Sequence, residues 1–221
     1  MLIHALDLIG TLAFAISGAF RAVKYELDIL GVIVLSIATG IGGGLIRDML
    51  IGKGLPAALH NEIYLIICVA GALAVFFGAH KIAARWDFVM VADAVGLGVF
   101  TAIGAALAEQ SGAGVFAVVM IAALTACGGG VVRDVLVCEI PSVLVSDFYA
   151  TASLIGGAFF VLLRPAGFDL DMRITVDIVI TIIFRLLAMR YRISLPHAKR
   201  LPMSPSEMTK QRKVDRNINN Q

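Results

Sequence analysis

The residues of this 221-residue chain that are capable of chemistry fall into two matching sets. Residues 39–50 read Thr-Gly-Ile-Gly-Gly-Gly-Leu-Ile-Arg-Asp-Met-Leu, and residues 125–136 read Thr-Ala-Cys-Gly-Gly-Gly-Val-Val-Arg-Asp-Val-Leu. A constant offset of 86 lays Thr39, Gly42, Gly43, Gly44, Arg47 and Asp48 over Thr125, Gly128, Gly129, Gly130, Arg133 and Asp134. It also pairs Asp7 with Asp93, Gly10 with Gly96, Phe14 with Phe100 and Gly18 with Gly104; an offset of 85 then pairs Pro56 with Pro141, Tyr64 with Tyr149 and Gly71 with Gly156. One structural unit has been duplicated.

Both Arg-Asp pairs sit in or beside long apolar stretches, where ionisable groups are expensive and usually face a bundle interior or a cavity. They therefore read as ion-path or gate charges, against the plainer reading that they snorkel to the interface and anchor span ends. Adjacent helical residues point about 100° apart, so Arg47 need not pair with Asp48 itself. Pairing across the repeats, Arg47 with Asp134 and Arg133 with Asp48, would suit a pseudo-twofold relation. Asp7 and Asp93 lie early in their spans, either at the interface or reaching the cavity to attract cations.

Three consecutive glycines in a helix cost about 1 kcal/mol each against Ala and free backbone groups that need partners in lipid. Gly42–Gly44 and Gly128–Gly130 are expected to bend their helices against a polar path rather than serve only for close helix packing. Thr39 and Thr125 precede them, where a hydroxyl can replace a lost carbonyl partner or touch a permeating ion. Tyr64 and Tyr149 open their spans, as aromatic-belt residues or as hydrogen-bond partners of the bent helices.

Other chemistries are excluded. Neither triplet continues into the Gly-Lys-Ser/Thr of a phosphate loop, and no strand precedes it as in a dinucleotide fingerprint. His4, His60, His80 and His197 are scattered, as are Cys68, Cys127 and Cys138, so no metal site beyond a permeating monovalent cation, no disulfide framework and no catalytic constellation is implied. No enzyme, cofactor or nucleic-acid partner is expected.

The elements that must position these residues follow from composition. With 59% hydrophobic residues, 15% charged and a mean hydropathy of +0.92, the chain reads as an all-α integral membrane protein. Seven apolar stretches, at about 2–20, 29–50, 62–79, 88–107, 113–135, 145–163 and 173–190, approach the roughly 20 residues that cross about 30 Å of hydrocarbon. The first has no basic leader segment and reads as a retained span. Residues 1–80 form a first three-helix repeat and 88–165 a second. An odd number of spans per repeat makes the second copy inverted, related to the first by a twofold axis in the membrane plane. A seventh span, 172–190, is added, and 191–221 is a solvated basic tail carrying +5 against −3 for the rest; binding to anionic lipid headgroups is its sharper reading. Arg21, Lys24, Lys81, Arg85 and the tail share one face, whereas Lys53, Arg164 and Arg173 occupy the other. The amino terminus is thus expected outside and the carboxyl terminus in the cytoplasm.

At its two Gly-Gly-Gly-x-x-Arg-Asp segments the chain resembles the prokaryotic branch of the trimeric intracellular cation channel family, also described as a glycine-transporter-like domain family. The likeness covers about residues 4–190. It implies a potassium-permeable monovalent cation channel, passing potassium or sodium, built as a homotrimer among membrane lipids. Each protomer would hold its own pore between the repeats, constricted at the glycine-kinked second and fifth spans. Animal members carry a lysine-containing lipid-binding motif in the second span, where this chain reads Gly-Gly-Gly-Leu-Ile-Arg-Asp. A secondary transporter of a small zwitterion such as glycine is the alternative, since paired Arg and Asp side chains would hold both ends of such a substrate.

Overall fold

A computed structural model describes residues 2–52, 54–82, 86–145, 148–191 and 193. Lys53, Arg85, Arg192 and the tail beyond 193, with His197, lie outside the described residues, as do the side chains of His80 and Lys81. Nine helices are described: α1 (Leu2–Lys24), α2 (Ile29–Ile51), α3 (Ala57–His60), α4 (Ile63–Ile82), α5 (Trp86–Gln110), α6 (Val115–Leu136), α7 (Ser142–Val145), α8 (Tyr149–Leu162) and α9 (Leu170–Tyr191). No strand occurs among the described residues.

The seven apolar stretches map onto α1, α2, α4, α5, α6, α8 and α9; α3 and α7 are single turns that precede α4 and α8. Four helices are long and apolar enough to cross a membrane, Leu2–Lys24, Ile29–Ile51, Val89–Gln110 and Val115–Leu136, and two shorter ones, Ile63–Gly78 and Tyr149–Leu162, are apolar as well. α9 is not among them, because Asp171, Arg173, Asp177, Arg185 and Arg190 interrupt it.

Local signals explain the ends of α2. Asp28 caps its start by accepting from the Gly31 amide at 2.7 Å. Gly52, at φ +71° in the left-handed region, closes it with an N–H donated to the Asp48 carbonyl. Both α2 and α6 continue as α-helix through their glycine triplets.

What the triplets do is let α2 and α6 cross backbone to backbone. A Cβ on Gly43 would overlap the Thr125 carbonyl oxygen, and one on Gly129 would overlap that of Thr39. A Cβ on Gly42 would stand 3.4 Å from the Gly129 Cα, and one on Gly128 3.4 Å from the Gly43 Cα. Each contact recurs with the halves exchanged, as a twofold relation requires.

The neighbouring crossing gives direction. Ser17 meets Asp93, Gly96 packs under Phe14, and Gly10 packs under Phe100, so descending positions on α1 meet ascending ones on α5. These helices, equivalent in the two halves, run antiparallel. α1, α2 and α4 pack as one unit, α5, α6 and α8 as the other, and α9 lies on α5 and α8. The core between the halves is apolar, with Phe14, Leu97, Phe100 and Ile103 fully buried.

Candidate functional site

Each half closes its helices around a buried guanidinium. In the first, Arg47 is 1% exposed although it lies near the end of α2. Its Nε donates to Asp48 Oδ1 at 2.7 Å, and its Nη1 donates to Asp7 Oδ1, on α1, at 3.3 Å. Asp48 Oδ2 accepts from the Ala57 amide at 2.9 Å, fixing the first turn of α3. Tyr64, at the start of α4, donates its hydroxyl to Asp7 Oδ2 at 2.9 Å. The planar fork of arginine suits this work, since Nε and Nη point to separate carboxylates.

The second half repeats the arrangement almost atom for atom. Arg133 Nε donates to Asp134 Oδ1 at 2.9 Å and Nη1 to Asp93 Oδ1 at 2.8 Å. Asp134 Oδ2 accepts from both the amide and the hydroxyl of Ser142, at 2.7 Å each, on the first turn of α7. The departure is at the tyrosine. Tyr149 is buried, its hydroxyl has no hydrogen-bond partner among the described residues, and Arg185 of α9 lies over its ring at 4.7 Å. Ser17, from the other half, fills the gap: it accepts from Arg133 Nη1 at 2.7 Å and donates to Asp93 at 3.2 Å.

The structure thus gathers Asp7, Arg47, Asp48 and Tyr64 in one cluster and Asp93, Arg133 and Asp134 in the other. The pairing that the sequence left open is within each half: Arg47 pairs with Asp7 and Asp48, and Arg133 with Asp93 and Asp134. The reason is register. The Arg side chain of α2 or α6 reaches the first helix of its own half, while the glycines hold the crossing between halves. A cross-repeat bridge to Asp134 does form, but from Arg21 at 3.6 Å. Neither arginine snorkels, and neither tyrosine is a belt residue, since all four are buried. Thr39 and Thr125 hydrogen-bond to carbonyls four residues back in their own helices, Leu35 and Ile121, at 2.6 Å each.

A cavity borders each cluster. One, of about 470 Å³, is lined by His4, Asp7, Arg47, Asp48, His60 and Tyr64. The other, of about 150 Å³, is lined by Ser17, Arg21, Asp93, Arg133, Ser142 and Arg185. Because α1 and α5 are antiparallel, Asp7 and Asp93 mark opposite ends of the molecule. Between them lie the glycine crossing, the Phe14–Phe100 contact and a small void of about 10 Å³ beside Thr11, Gly40, Gly44 and Phe100.

The polar face of α9 escaped the sequence reading. Arg173 donates to Glu109 at 2.9 and 2.8 Å and to the Phe160 carbonyl at 3.0 Å. Asp177 is fully buried, receives the Thr181 hydroxyl at 3.0 Å, and has an Oδ2 without a hydrogen-bond partner among the described residues. The signal was present: Arg173, Asp177, Thr181 and Arg185 recur every fourth residue, a polar stripe on one helix face.

The sequence and the overall fold resemble known proteins. A family model described as Glycine transporter matches residues 4–80 and again 90–165. A solved TRIC cation channel, studied for the structural basis of its conductance, superposes at a TM-score of 0.85 with 38% identity, covering 92% of this chain and all of that one (100%). The chain belongs to the trimeric intracellular cation (TRIC) channel family. Among curated relatives in this family, a UPF0126 membrane protein of Vibrio cholerae is 39% identical, covering 88% of this chain and 82% of the relative. The UPF0126 inner membrane protein YadS of Escherichia coli is 36% identical, covering 89% and 96%. The chain is accordingly an all-helical membrane protein.

Proposed function

We propose that this protein is a potassium-permeable channel for monovalent cations, with one pore in each protomer of a homotrimer. The path runs from the Asp7–Arg47–Asp48 cavity, past the Gly43–Gly129 crossing and Phe14–Phe100, to the Asp93–Arg133–Asp134 cavity. Seven helices cross the inner membrane as two inverted three-helix repeats plus α9, with the amino terminus outside. The observation that carries this reading is the matched pair of charge clusters, each at a cavity and at opposite ends of one glycine-lined crossing. The first sets Asp7 and Asp48 against Arg47, leaving excess negative charge to hold a permeating cation without binding it tightly, whereas at the second Asp93 and Asp134 face Arg133 with Arg21 and Arg185 also lining the cavity. Inverted repeats meeting near the midplane suit conduction between two such ends, and the similarity to a TRIC cation channel over 92% of the chain supports it.

A carrier for glycine is the second reading, favoured by the family model's description and by a 470 Å³ cavity that offers both signs of charge. Recording from purified protein in a planar bilayer in KCl separates the two. Unitary current steps are the expected result; silent bilayers with saturable glycine uptake into liposomes would make it a carrier.

A further inference from the structure

The two mouths of the path are not alike, although the fold repeats. Arg21, in the last turn of α1, lines the smaller cavity. Its repeat counterpart, at the offset of 86, is Leu107, which lines the larger one. A guanidinium thus stands at one mouth where the other has an isobutyl group. Arg21 Nη1 donates to Glu139 Oε2 at 2.6 Å, and Nη2 lies 3.6 Å from Asp134 Oδ1.

Glu139 is placed for this contact by an unusual turn. After α6, Cys138 takes φ +57°, the left-handed region that costs a non-glycine residue free energy, and the Glu139 amide then returns to the Asp134 carbonyl at 2.9 Å. The corresponding residue after α2 is Gly52, which also lies in the left-handed region, at φ +71°. The residue that follows is Glu139 in one half and Lys53 in the other, a reversal of charge. Glu139 also receives the Tyr25 hydroxyl and lies 3.9 Å from Lys24. The hydrogen bond to Glu139 pushes the Tyr25 phenol up from its ordinary value.

From this placement we infer that Glu139 is the charge compensator of one mouth: it cancels the Arg21 guanidinium, which would otherwise repel cations entering through the smaller cavity. The inference rests on the channel reading. Without Glu139, Arg21 keeps only the longer contact to Asp134, which Arg133 already engages, so its guanidinium raises the local potential felt by cations; the effect fades as salt screens it, over about 10 Å at 0.1 M and about 3 Å at 1 M.

Single-channel currents from wild type, Glu139→Gln, Arg21→Gln, the double variant and Tyr25→Phe test this in KCl at about 0.1 M and about 1 M. Glu139→Gln is expected to lower the current about two- to fourfold in one voltage polarity at the lower concentration, producing rectification that largely vanishes at the higher. The double variant should regain the wild-type curve, because the uncompensated charge is gone. Tyr25→Phe, which removes a hydrogen bond and no charge, should leave the curve unchanged. Unaltered rectification in Glu139→Gln would overturn the inference, as would a double variant as impaired as the single one, since that marks Arg21–Glu139 as a mechanical clasp. A conducting wild type with those results leaves the channel reading standing, whereas a wild type that passes no current overturns both.

Discussion

Phe14 and Phe100 occupy the same position in the two halves and meet each other, with ring centroids 5.3 Å apart and planes inclined by 32°. A residue touches its own counterpart only close to the axis that exchanges the halves. The glycine crossing lies beside it, because a Cβ on Gly129 would come within 3.4 Å of Phe14 Cδ2. The centre of the molecule is therefore a close-packed contact between equivalent elements, and the charges stand off it toward either end.

The crossing should not tolerate a single methyl group. In Gly43→Ala the added carbon meets the Thr125 carbonyl, and in Gly129→Ala it meets that of Thr39; both are backbone groups that cannot rotate away. Overpacking of this kind costs about 1–3 kcal/mol. Gly71→Ala is the control, with its nearest contact at 3.5 Å to Leu12. Thermal melting followed by size-exclusion chromatography should show lowered midpoints for Gly43→Ala and Gly129→Ala and a nearly unchanged one for Gly71→Ala. Equal midpoints for all three would mean that the helices do not approach so closely.

Coupling between the charges should follow the halves. A double-mutant cycle on Arg47 and Asp7, bonded at 3.3 Å, should give an interaction energy of about 0.5–3 kcal/mol, measured on thermal stability in detergent. The same cycle on Arg47 and Asp134 should close near zero. A large coupling for the second pair would restore the cross-repeat arrangement that the duplication alone suggested.

The duplication was legible because identical residues recur at a fixed offset, and with it the triplets, the Arg-Asp pairs and the family. The partners of Arg47 were not legible. Asp7 and Asp134 are both carboxylates in matching repeats, and only helix register decides which lies under the guanidinium. The acceptor role of Asp48 was hidden for another reason: its partner is the Ala57 amide, a backbone group with no sequence signature. The close approach of α2 and α6 was not legible either, since three adjacent glycines permit close packing as readily as they loosen a helix. Ser17 was invisible because its counterpart is Ile103, so the repeat offered no second copy to draw attention to it.

α9 carries a charged anchor in its first turn. Arg173 makes a two-pronged pair with Glu109 of α5, bonds the Phe160 carbonyl of α8, and lies 4.1 Å from the Phe160 ring centroid. Arg173→Ala leaves Glu109 with only the Arg164 contact at 3.5 Å, from a side chain 67% exposed. Breaking a buried pair costs about 3–5 kcal/mol in soluble proteins, so a clear fall in melting temperature is expected. The double replacement Arg173→Met with Glu109→Gln should recover part of it, because no uncompensated carboxylate remains. A melting temperature unchanged by Arg173→Ala would show that the pair does not anchor α9.

The cysteines already present report orientation. Cys138 is exposed, whereas Cys68 and Cys127 are buried. Cys138 immediately precedes Glu139, the partner of Arg21, so it marks the end of the molecule where Arg21 and Lys24 lie. In the proposed orientation, which follows the positive-inside rule, that end faces the cytoplasm. Ser111, in the turn between α5 and α6, lies at the opposite end because α5 runs antiparallel to α1. An impermeant maleimide should therefore fail to label the native protein in intact cells and should label Cys138 after permeabilisation. In a Cys138→Ser background, Ser111→Cys should be labelled from outside without permeabilisation. If Cys138 is modified in intact cells and the Ser111 position is protected, the orientation is reversed, and the smaller cavity with its Arg21–Glu139 pair opens to the outside.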